Sequence, residues 1–467
     1  MTRPSPVPQR ATIVLPSTGE FDSRTYRIAT ALAARGHAVT VLARMGPGTA
    51  ADELHPAGYR IRRVSATAID GLPLPAWIRR RLATRRAGSA GSAGDAVAEE
   101  APRSASGPAT VGGTGDGSRA TAGGVASGGL GGIVGRGKRV VGAVRRITAM
   151  ALVVRAQSRA SRAIDDGADL YHAMAYMGIP VALGLAARHE GARAVYDARD
   201  IYVDARNLAR LPGPVRRAVG GAERRWARRA DRVVTVNVPY AEVMARRWGL
   251  PMPVIALNCS FRYQPSQPRP RRFHETLGLP ADRRVVLYQG GFSPDRGIEQ
   301  LLEAVPQVPN ATLVLLGYGP LRAALDRAAA GPGMDDRVRV LDAVPPTELL
   351  DWVASADVVA MPIQPTTLNH RLTTPNKLLE AMAAGVPVVA SDLPGMADIV
   401  RSTDCGVLCD PQDPAAVAAA IRAVLDAPDG GRAMGERALA AAHGEYNWET
   451  QMDKLLELYS NLTGKPW

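Results

Sequence analysis

The sequence predicts an α/β protein built as two parallel-sheet domains facing each other across a cleft. Three observations predict it. Short apolar runs alternate with helical stretches along most of the chain. A Pro- and Arg-rich stretch, RYQPSQPRPRRFHETLGLP at 262–280, interrupts the alternation and reads as an interdomain linker. After it the same rhythm restarts. Strands apolar along their whole length suit a parallel sheet covered by helices on both faces.

The elements follow in order. ATIVLP at 11–16 is a short strand ending at Pro16, and the polar loop STGEFDS leads into a helix near 24–35. Gly36 stops that helix and HAVTVLA, 37–43, is the next strand. The loop after the first strand lies at its carboxyl end, where α/β sheets bind ligands. Residues 88–137 then hold 16 of the 47 glycines, and no aromatic occurs between Trp77 and Tyr171. Such a segment buries too little apolar surface to offset its chain entropy, so a disordered surface insertion is expected. The stretch 136–162 has eight basic residues and no acidic one. It reads as a helix that packs one face on the domain or, alternatively, as a basic amphipathic helix touching anionic membrane.

Alternation resumes with a strand at 168–173, a helix at 179–189 and a strand at 192–197. The loop DARDIYVDARN follows, then a basic helix at 214–230, strand RVVTVN, a helix at 239–247 and strand VIALN. In the second half strands are expected at 285–289, 312–316, 338–342, 357–361, 386–390 and 405–409, with helices between and a final helix at 448–463. The expected division is a first domain over 1–261, a linker over 262–280, a second domain over 281–446, and a terminal helix, 447–467, crossing back to the first domain.

Composition narrows the function. The 467 residues carry 57 Lys and Arg against 44 Asp and Glu, a net charge of +13, so the surface attracts anions. Only 5% of residues are aromatic, too few for base-stacking platforms, and nucleic acid is not an expected partner. Three cysteines suggest a reducing compartment, and Cys405 and Cys409 read as core thiols. A cytoplasmic protein is expected, either free or peripheral at the inner face of the membrane. No apolar run is long enough to span a bilayer.

The most informative stretch is LTTPNKLLEAMAAGVPVVASDLPG at 372–395. Thr374 and Pro375 read as the start of a helix whose free N–H groups point into the cleft. Lys377 in its first turn opposes the helix dipole unless an anion is bound, which makes this a diphosphate site. Glu380, one turn on, can accept hydrogen bonds from vicinal hydroxyls or simply pair with Lys377. In YQGGFSPDRGIEQLLEA, 288–304, Arg296 can hold a diphosphate bidentately or lie on the surface at a helix start. LLGYGPLRAAL, 315–325, is no dinucleotide fingerprint, because Arg322 stands where a glycine belongs.

Together these blocks resemble the retaining glycosyltransferases of family 4, which have the GT-B fold of two Rossmann-like domains. The resemblance runs over nearly the whole chain outside 88–137. It includes DSRTYRIATALAARGHAVTVLAR, VYDARDIYVDARN, RRADRVVTVN, SPDRG, LLGYGPL, PNKLLEAMAAGVPVVASDLPG, CGVLCDPQDP and EYNWETQMDKLLELY. It implies a nucleotide-diphosphate sugar, UDP- or GDP-linked, on the second domain, and a carbohydrate, lipid-linked or small-molecule acceptor mainly on the first. By resemblance Glu380 binds the donor ribose, Arg296 contacts the diphosphate, and Gly19 lies in the loop that closes on the phosphates. The expected donor set is Glu380, Lys377, Asn376, Arg296, Gly291, Gly19 and Arg371. Asp22 and Arg24 are expected at the acceptor, and Arg199, Asp200 and Asp197 at the reacting centre. Each of these five is alternatively a loop hydrogen-bonding residue.

Three positions depart from the family pattern. Leu372 replaces a sugar-contacting Glu, Gly291 replaces an Arg, and Arg199 stands where relatives carry a His. His370 and Arg371 are candidates to restore positive charge near the diphosphate. No Asp-x-Asp pair occurs, so no metal is expected; the resemblance implies transfer with retention of configuration and no cofactor. A sugar-nucleotide epimerase and a non-catalytic transferase-like subunit remain as alternatives.

Overall fold

The computed structural model describes residues 8–19, 22–74, 79 and 130–467. The first domain is built on an eight-stranded sheet in the order β3-β4-β2-β1-β5-β6-β7-β8. Strand β1 (Arg10–Val14) buries four of its five residues and pairs in parallel with β2 (Ala38–Arg44) and β5 (Leu170–Met174). Between β1 and β2 lies α1 (Ser23–Ala34), capped by the Asp22 carboxylate, which accepts the Thr25 N–H at 2.8 Å.

A small edge follows that the sequence does not announce: β3 (Asp52–Leu54), antiparallel to β4 (Arg60–Val64), and a one-turn helix α2 (Ala68–Gly71). Apolar alternation is hidden in β4 because Arg63 is buried there. Its guanidinium donates to Thr18 O and Ala50 O and pairs with Glu53.

Helix α3 (Leu130–Ile164) replaces part of the expected insertion: residues 130–137 are helical, not disordered. Extending an existing helix costs far less than nucleating one, and the 136–162 stretch supplies the nucleus. The remainder of that expectation, 88–129, lies outside the described residues.

The rest of the domain comprises α4 (Ala175–Ala186), β6 (Arg193–Asp197), α5 (Arg206–Ala209), α6 (Gly213–Ala227), β7 (Arg232–Thr235), α7 (Val238–Trp248) and β8 (Val254–Ile255). The linker is shorter than expected. Its second half forms α8 (Arg272–Leu277), which sinks Phe273 completely into the second core.

The second domain is an all-parallel six-stranded sheet in the order β11-β10-β9-β12-β13-β14. Its elements are β9 (Arg284–Gly291), α9 (Ile298–Ala304), β10 (Ala311–Tyr318), α10 (Arg322–Ala329), β11 (Val338–Asp342), α11 (Leu349–Ala354) and β12 (Val358–Met361). They continue through α12 (Leu368–Leu372), α13 (Asn376–Ala383), β13 (Val388–Ser391), α14 (Pro394–Thr403), β14 (Gly406–Cys409), α15 (Pro414–Leu425) and α16 (Arg432–Gly444). All three cysteines are free and buried.

The last helix, α17 (Trp448–Thr463), leaves this domain and packs Trp448, Met452, Leu455 and Tyr459 into the core of the first. Strand order reverses at β1/β5 and again at β9/β12. At such reversals the flanking loops diverge and leave a crevice at the carboxyl strand ends.

Candidate active site

The second domain's side of the crevice is assembled at the carboxyl end of β9. Gly290 has φ +115°, and a side chain placed there would come within 3.8 Å of the Lys377 Nζ. Lys377, in the first turn of α13, therefore reaches back over the end of β9. Its Nζ stands 3.4 Å from the centroid of the Tyr288 ring, a cation–π contact. The Tyr288 hydroxyl donates to Gly291 O at 2.9 Å, so one residue shapes both the lysine and the turn. The Lys377 Nζ is buried and has no hydrogen-bond partner. Burial, then the neighbouring Arg296 charge, push its pKa well below that of an ordinary lysine, against the pull of Glu380.

Arg296 donates from Nε to Ser293 Oγ at 3.4 Å and is half-buried. The following Gly297 caps α9 at φ +78°, and a Cβ there would lie 1.9 Å from Pro362 O, so this turn admits only glycine. Gly317 likewise allows β10 to approach β9: a Cβ on it would lie 1.9 Å from Gly290 O. The LLGYGPL glycines thus serve close backbone packing. Burial pushes the Glu380 carboxyl above the usual range, against the opposing charge of Arg27 from α1.

The start of α13 differs from expectation. Pro375 is the N-cap and supplies no side-chain bond to the helix, because Thr374 turns away and donates to Gly395 O at 2.6 Å. The first N–H groups are consequently not occupied by a capping side chain. Asn376 is exposed at the mouth and accepts from Asn258 Nδ2 at 3.1 Å, while Arg27 donates to Asn258 Oδ1 at 2.8 Å. Arg27 lacked any sequence signal beyond its place on α1. Gly291 is exposed at the strand end, and Gly19, φ +88°, lies half-buried after β1. Arg371 is exposed at the end of α12, whereas His370 is buried and bonds Thr366 Oγ1 through Nδ1 at 3.0 Å.

On the first domain's side, Arg199 donates to Asp22 at 2.6 Å. Burial favours the protonated Asp22, but the Arg199 charge and the Thr25 bonds outweigh it and hold the carboxyl below its usual range. Asp200 accepts from Asn369 Nδ2 at 3.0 Å, so it faces the second domain.

Two expected residues are corrected here. Arg24 and Asp197 are fully buried, at 0% exposure for both side chains, and pair with each other at 2.6 Å. Arg24 also donates to Ala256 O, and Asp197 contacts His172 Nε2 at 3.1 Å, while His172 Nδ1 bonds the Tyr459 hydroxyl. Desolvation resists ionisation of Asp197, yet Arg24 and His172 bring its pKa down to about 2. Neither Arg24 as an acceptor contact nor Asp197 as a catalytic group is reachable from the crevice. They hold β6, α1 and α17 together.

Leu372, at the position of the missing Glu, packs with Leu368 against the apolar core of the first domain. Asn237, Tyr240 and Asn369, which bridge the domains nearby, carry no local sequence signal of a site.

Residues 283–427 match the family model described as Glycosyl transferases group 1. Among curated proteins the chain is similar to D-inositol 3-phosphate glycosyltransferase of Xylanimonas cellulosilytica, 31% identical over 54% of this chain and 62% of that one. It is similar also to a GDP-mannose-dependent alpha-(1-6)-phosphatidylinositol monomannoside mannosyltransferase of Mycolicibacterium smegmatis, 32% identical over 43% of this chain and 53% of that one. The matched stretches thus span between about half and three fifths of these relatives. In structure it is similar to sucrose-phosphate synthase from Thermosynechococcus elongatus, with a TM-score of 0.67, 21% identity and coverage of 98% and 99% of the two chains. Anabaena HepE in complex with UDP-glucose gives a TM-score of 0.59 at 17% identity, covering 97% and 100%. The chain is thus similar to the group 1 glycosyl transferases over its second domain, and the likeness across both domains gives it the GT-B fold.

Proposed function

We propose that the protein transfers a glycosyl group from a nucleotide-diphosphate sugar on its second domain to an acceptor hydroxyl presented by its first, with retention of configuration. The observation that carries this reading is the buried, unpartnered ammonium of Lys377 at the uncapped start of α13, with Arg296 beside it and Glu380 one turn along. An unpaired buried cation is costly, and a diphosphate would relieve that cost. A relative whose name specifies GDP-mannose, and a structural neighbour in complex with UDP-glucose, support a nucleotide sugar as donor.

Cleaving the sugar–diphosphate bond gathers negative charge on the leaving group. Lys377, Arg296 and the free N–H groups of α13 are fixed donors for it, as electrostatic stabilisation of a transition state requires. Glu380 would accept the ribose hydroxyls. Arg199 and Asp200, on the opposite wall, are placed to orient the acceptor. These cations make transfer without a divalent ion the proposed mode, which predicts equal turnover with and without a chelator.

Calorimetric titration with UDP, GDP, ADP and dTDP, on wild type and Glu380→Ala, tests the donor site. Tight binding of one nucleotide, weakened in the variant, supports it and names the base. Failure of all four to bind would move the non-catalytic reading ahead.

Among the described residues no helix is long and apolar enough to cross a membrane. Peripheral contact is the proposal that fits α3, whose Val140, Val141 and Val144 are exposed at 39%, 69% and 49% beside the exposed Arg145 and Arg146. Co-sedimentation with phosphatidylglycerol vesicles, lost when the three valines become serine, is the expected result. Equal pelleting of the variant would remove this surface.

A further inference from the structure

The segment that carries Leu372 does more than connect two elements. Helix α12 projects from the second domain and is received by the first. Leu368 and Leu372 pack against the apolar cluster beneath β5, β6 and α7. Asn237 Nδ2 donates to Leu372 O at 2.8 Å and to Thr374 Oγ1 at 3.1 Å, and the Tyr240 hydroxyl donates to Asn369 O at 2.9 Å. At the centre lies Asn369, only 7% exposed. Its Oδ1 accepts the Ile201 N–H at 2.8 Å, and its Nδ2 donates to Asp200 Oδ1 at 3.0 Å.

The chemistry of these partners suits a carboxamide. A carboxylate only accepts and a backbone N–H only donates, so the side chain between them must offer one donor and one acceptor. A carboxamide does so, in one orientation. Aspartate would set acceptor against acceptor at Asp200, and an apolar side chain would orphan a buried N–H, costing more than the bond itself contributes.

We infer that Asn369 is a positioning residue for glycosyl transfer: it fixes the loop bearing Arg199 and Asp200 relative to the segment that leads into the donor-side helix α13. The inference rests on the transferase reading for its catalytic consequence. Asn369 touches neither substrate; it acts through Asp200 and the Ile201 backbone. On the donor side the chain runs from Leu372 and Thr374, both anchored by Asn237, straight into Asn376 and Lys377. On the acceptor side it steadies the loop whose Arg199 pairs with Asp22. Where the family pattern supplies a sugar-contacting carboxylate at 372, this chain uses the position to seat the strap.

The test compares wild type with Asn369→Ala and the isosteric Asn369→Asp in the full chain. Three quantities are measured: hydrogen exchange of the peptide covering 199–205, calorimetric affinity for UDP and GDP, and turnover of donor to product with KM and kcat separated. Loss of the acceptor in Asn369→Ala should speed exchange of the Ile201 amide by roughly tenfold or more. Asn369→Asp keeps that acceptor, so its exchange should change less. In both variants kcat should fall by roughly tenfold or more while nucleotide affinity stays within about twofold.

Unchanged exchange over 199–205 in Asn369→Ala would overturn the inference. So would a loss of nucleotide affinity matching the loss of turnover, since that is what a merely structural residue would give. If wild type itself binds no nucleotide, the transferase reading fails, whereas the exchange comparison still decides whether Asn369 holds the loop.

Discussion

Two clusters of charge lie on opposite sides of the crevice, and they are in opposite states. On the first domain, Arg24 and Asp197 are sealed from water, and each meets a partner: Asp197 has Arg24 and His172, and Arg24 adds Ala256 O. On the second domain, Lys377 is equally deprived of water at its tip but has only the face of Tyr288. Buried charges therefore do different work on the two domains. A buried ion pair ties strands and helices together, although Arg24 Nη2 and Asp197 Oδ1 stay unbonded; a buried cation with no hydrogen-bond partner at all is poised for an anion. Residue identity does not separate these cases, and partner counting does.

The comparison can be broken at its open end first. Lys377→Ala should lower kcat/KM by about 10³-fold, the scale of removing one preorganised donor to a developing charge, with little or no loss of folding stability. Wild-type nucleotide affinity should fall as pH rises through the depressed Lys377 pKa, and the variant should flatten that profile. A large loss of stability in Lys377→Ala would place the lysine with the sealed cluster instead.

At the sealed end, Asp197→Asn should strand the Arg24 charge and destabilise the fold by about 3–5 kcal/mol, read as a lower denaturant midpoint. The sign with pH follows from the depressed pKa of about 2: this stabilisation is present above the unfolded value and is lost as pH falls through about 2.

A third carboxylate sharpens the rule. Glu223 is 2% exposed and accepts only the Tyr196 hydroxyl, at 2.7 Å, and burial pushes its pKa up to about 7. Its folded pKa is raised, so its contribution is complete below the unfolded value of 4.5 and is lost as pH rises through about 7. Glu223→Gln should then gain up to about 3 kcal/mol over wild type above pH 7 and nothing below the unfolded pKa, as measured by denaturant melts at the two extremes. The smallest effect expected is for Glu380→Ala: a loss of roughly 10-fold in nucleotide affinity with unchanged stability.

Much of the fold was legible, because parallel strands are apolar along their whole length. Residues 338–342 and 448–463 fold as the strand and helix their patterns predict. The β3–β4 edge was not legible, since Arg63 sits where alternation demands an apolar residue and is satisfied by Thr18, Ala50 and Glu53, none of them in its own strand. The donor side was readable as a local motif, a helix start with Lys377 and Glu380 on one turn. Thr374 misled because a good capping residue found a better acceptor in Gly395 O. The acceptor side was read less well. Asp22, Arg24, Asp197 and Arg199 sit in loops or at element ends, and nothing local says which pairs with which. The structure pairs Arg24 with Asp197 and Arg199 with Asp22, and the pairing decides which remain reachable. Asn369 is the extreme case, for both of its side-chain partners come from the other domain.

The path of α17 bears on how the protein is made. Trp448, Met452, Leu455 and Tyr459 fill the core of the domain that is translated first. That domain stays incomplete on the ribosome until α17 has emerged, while the second domain, translated in between, has all its strands in sequence and can close by itself. Domains generally fold in the order of their synthesis. Here the order is inverted: a helix made after the second domain finishes the first, and a chain stalled before Trp448 would leave the apolar face of α1 uncovered.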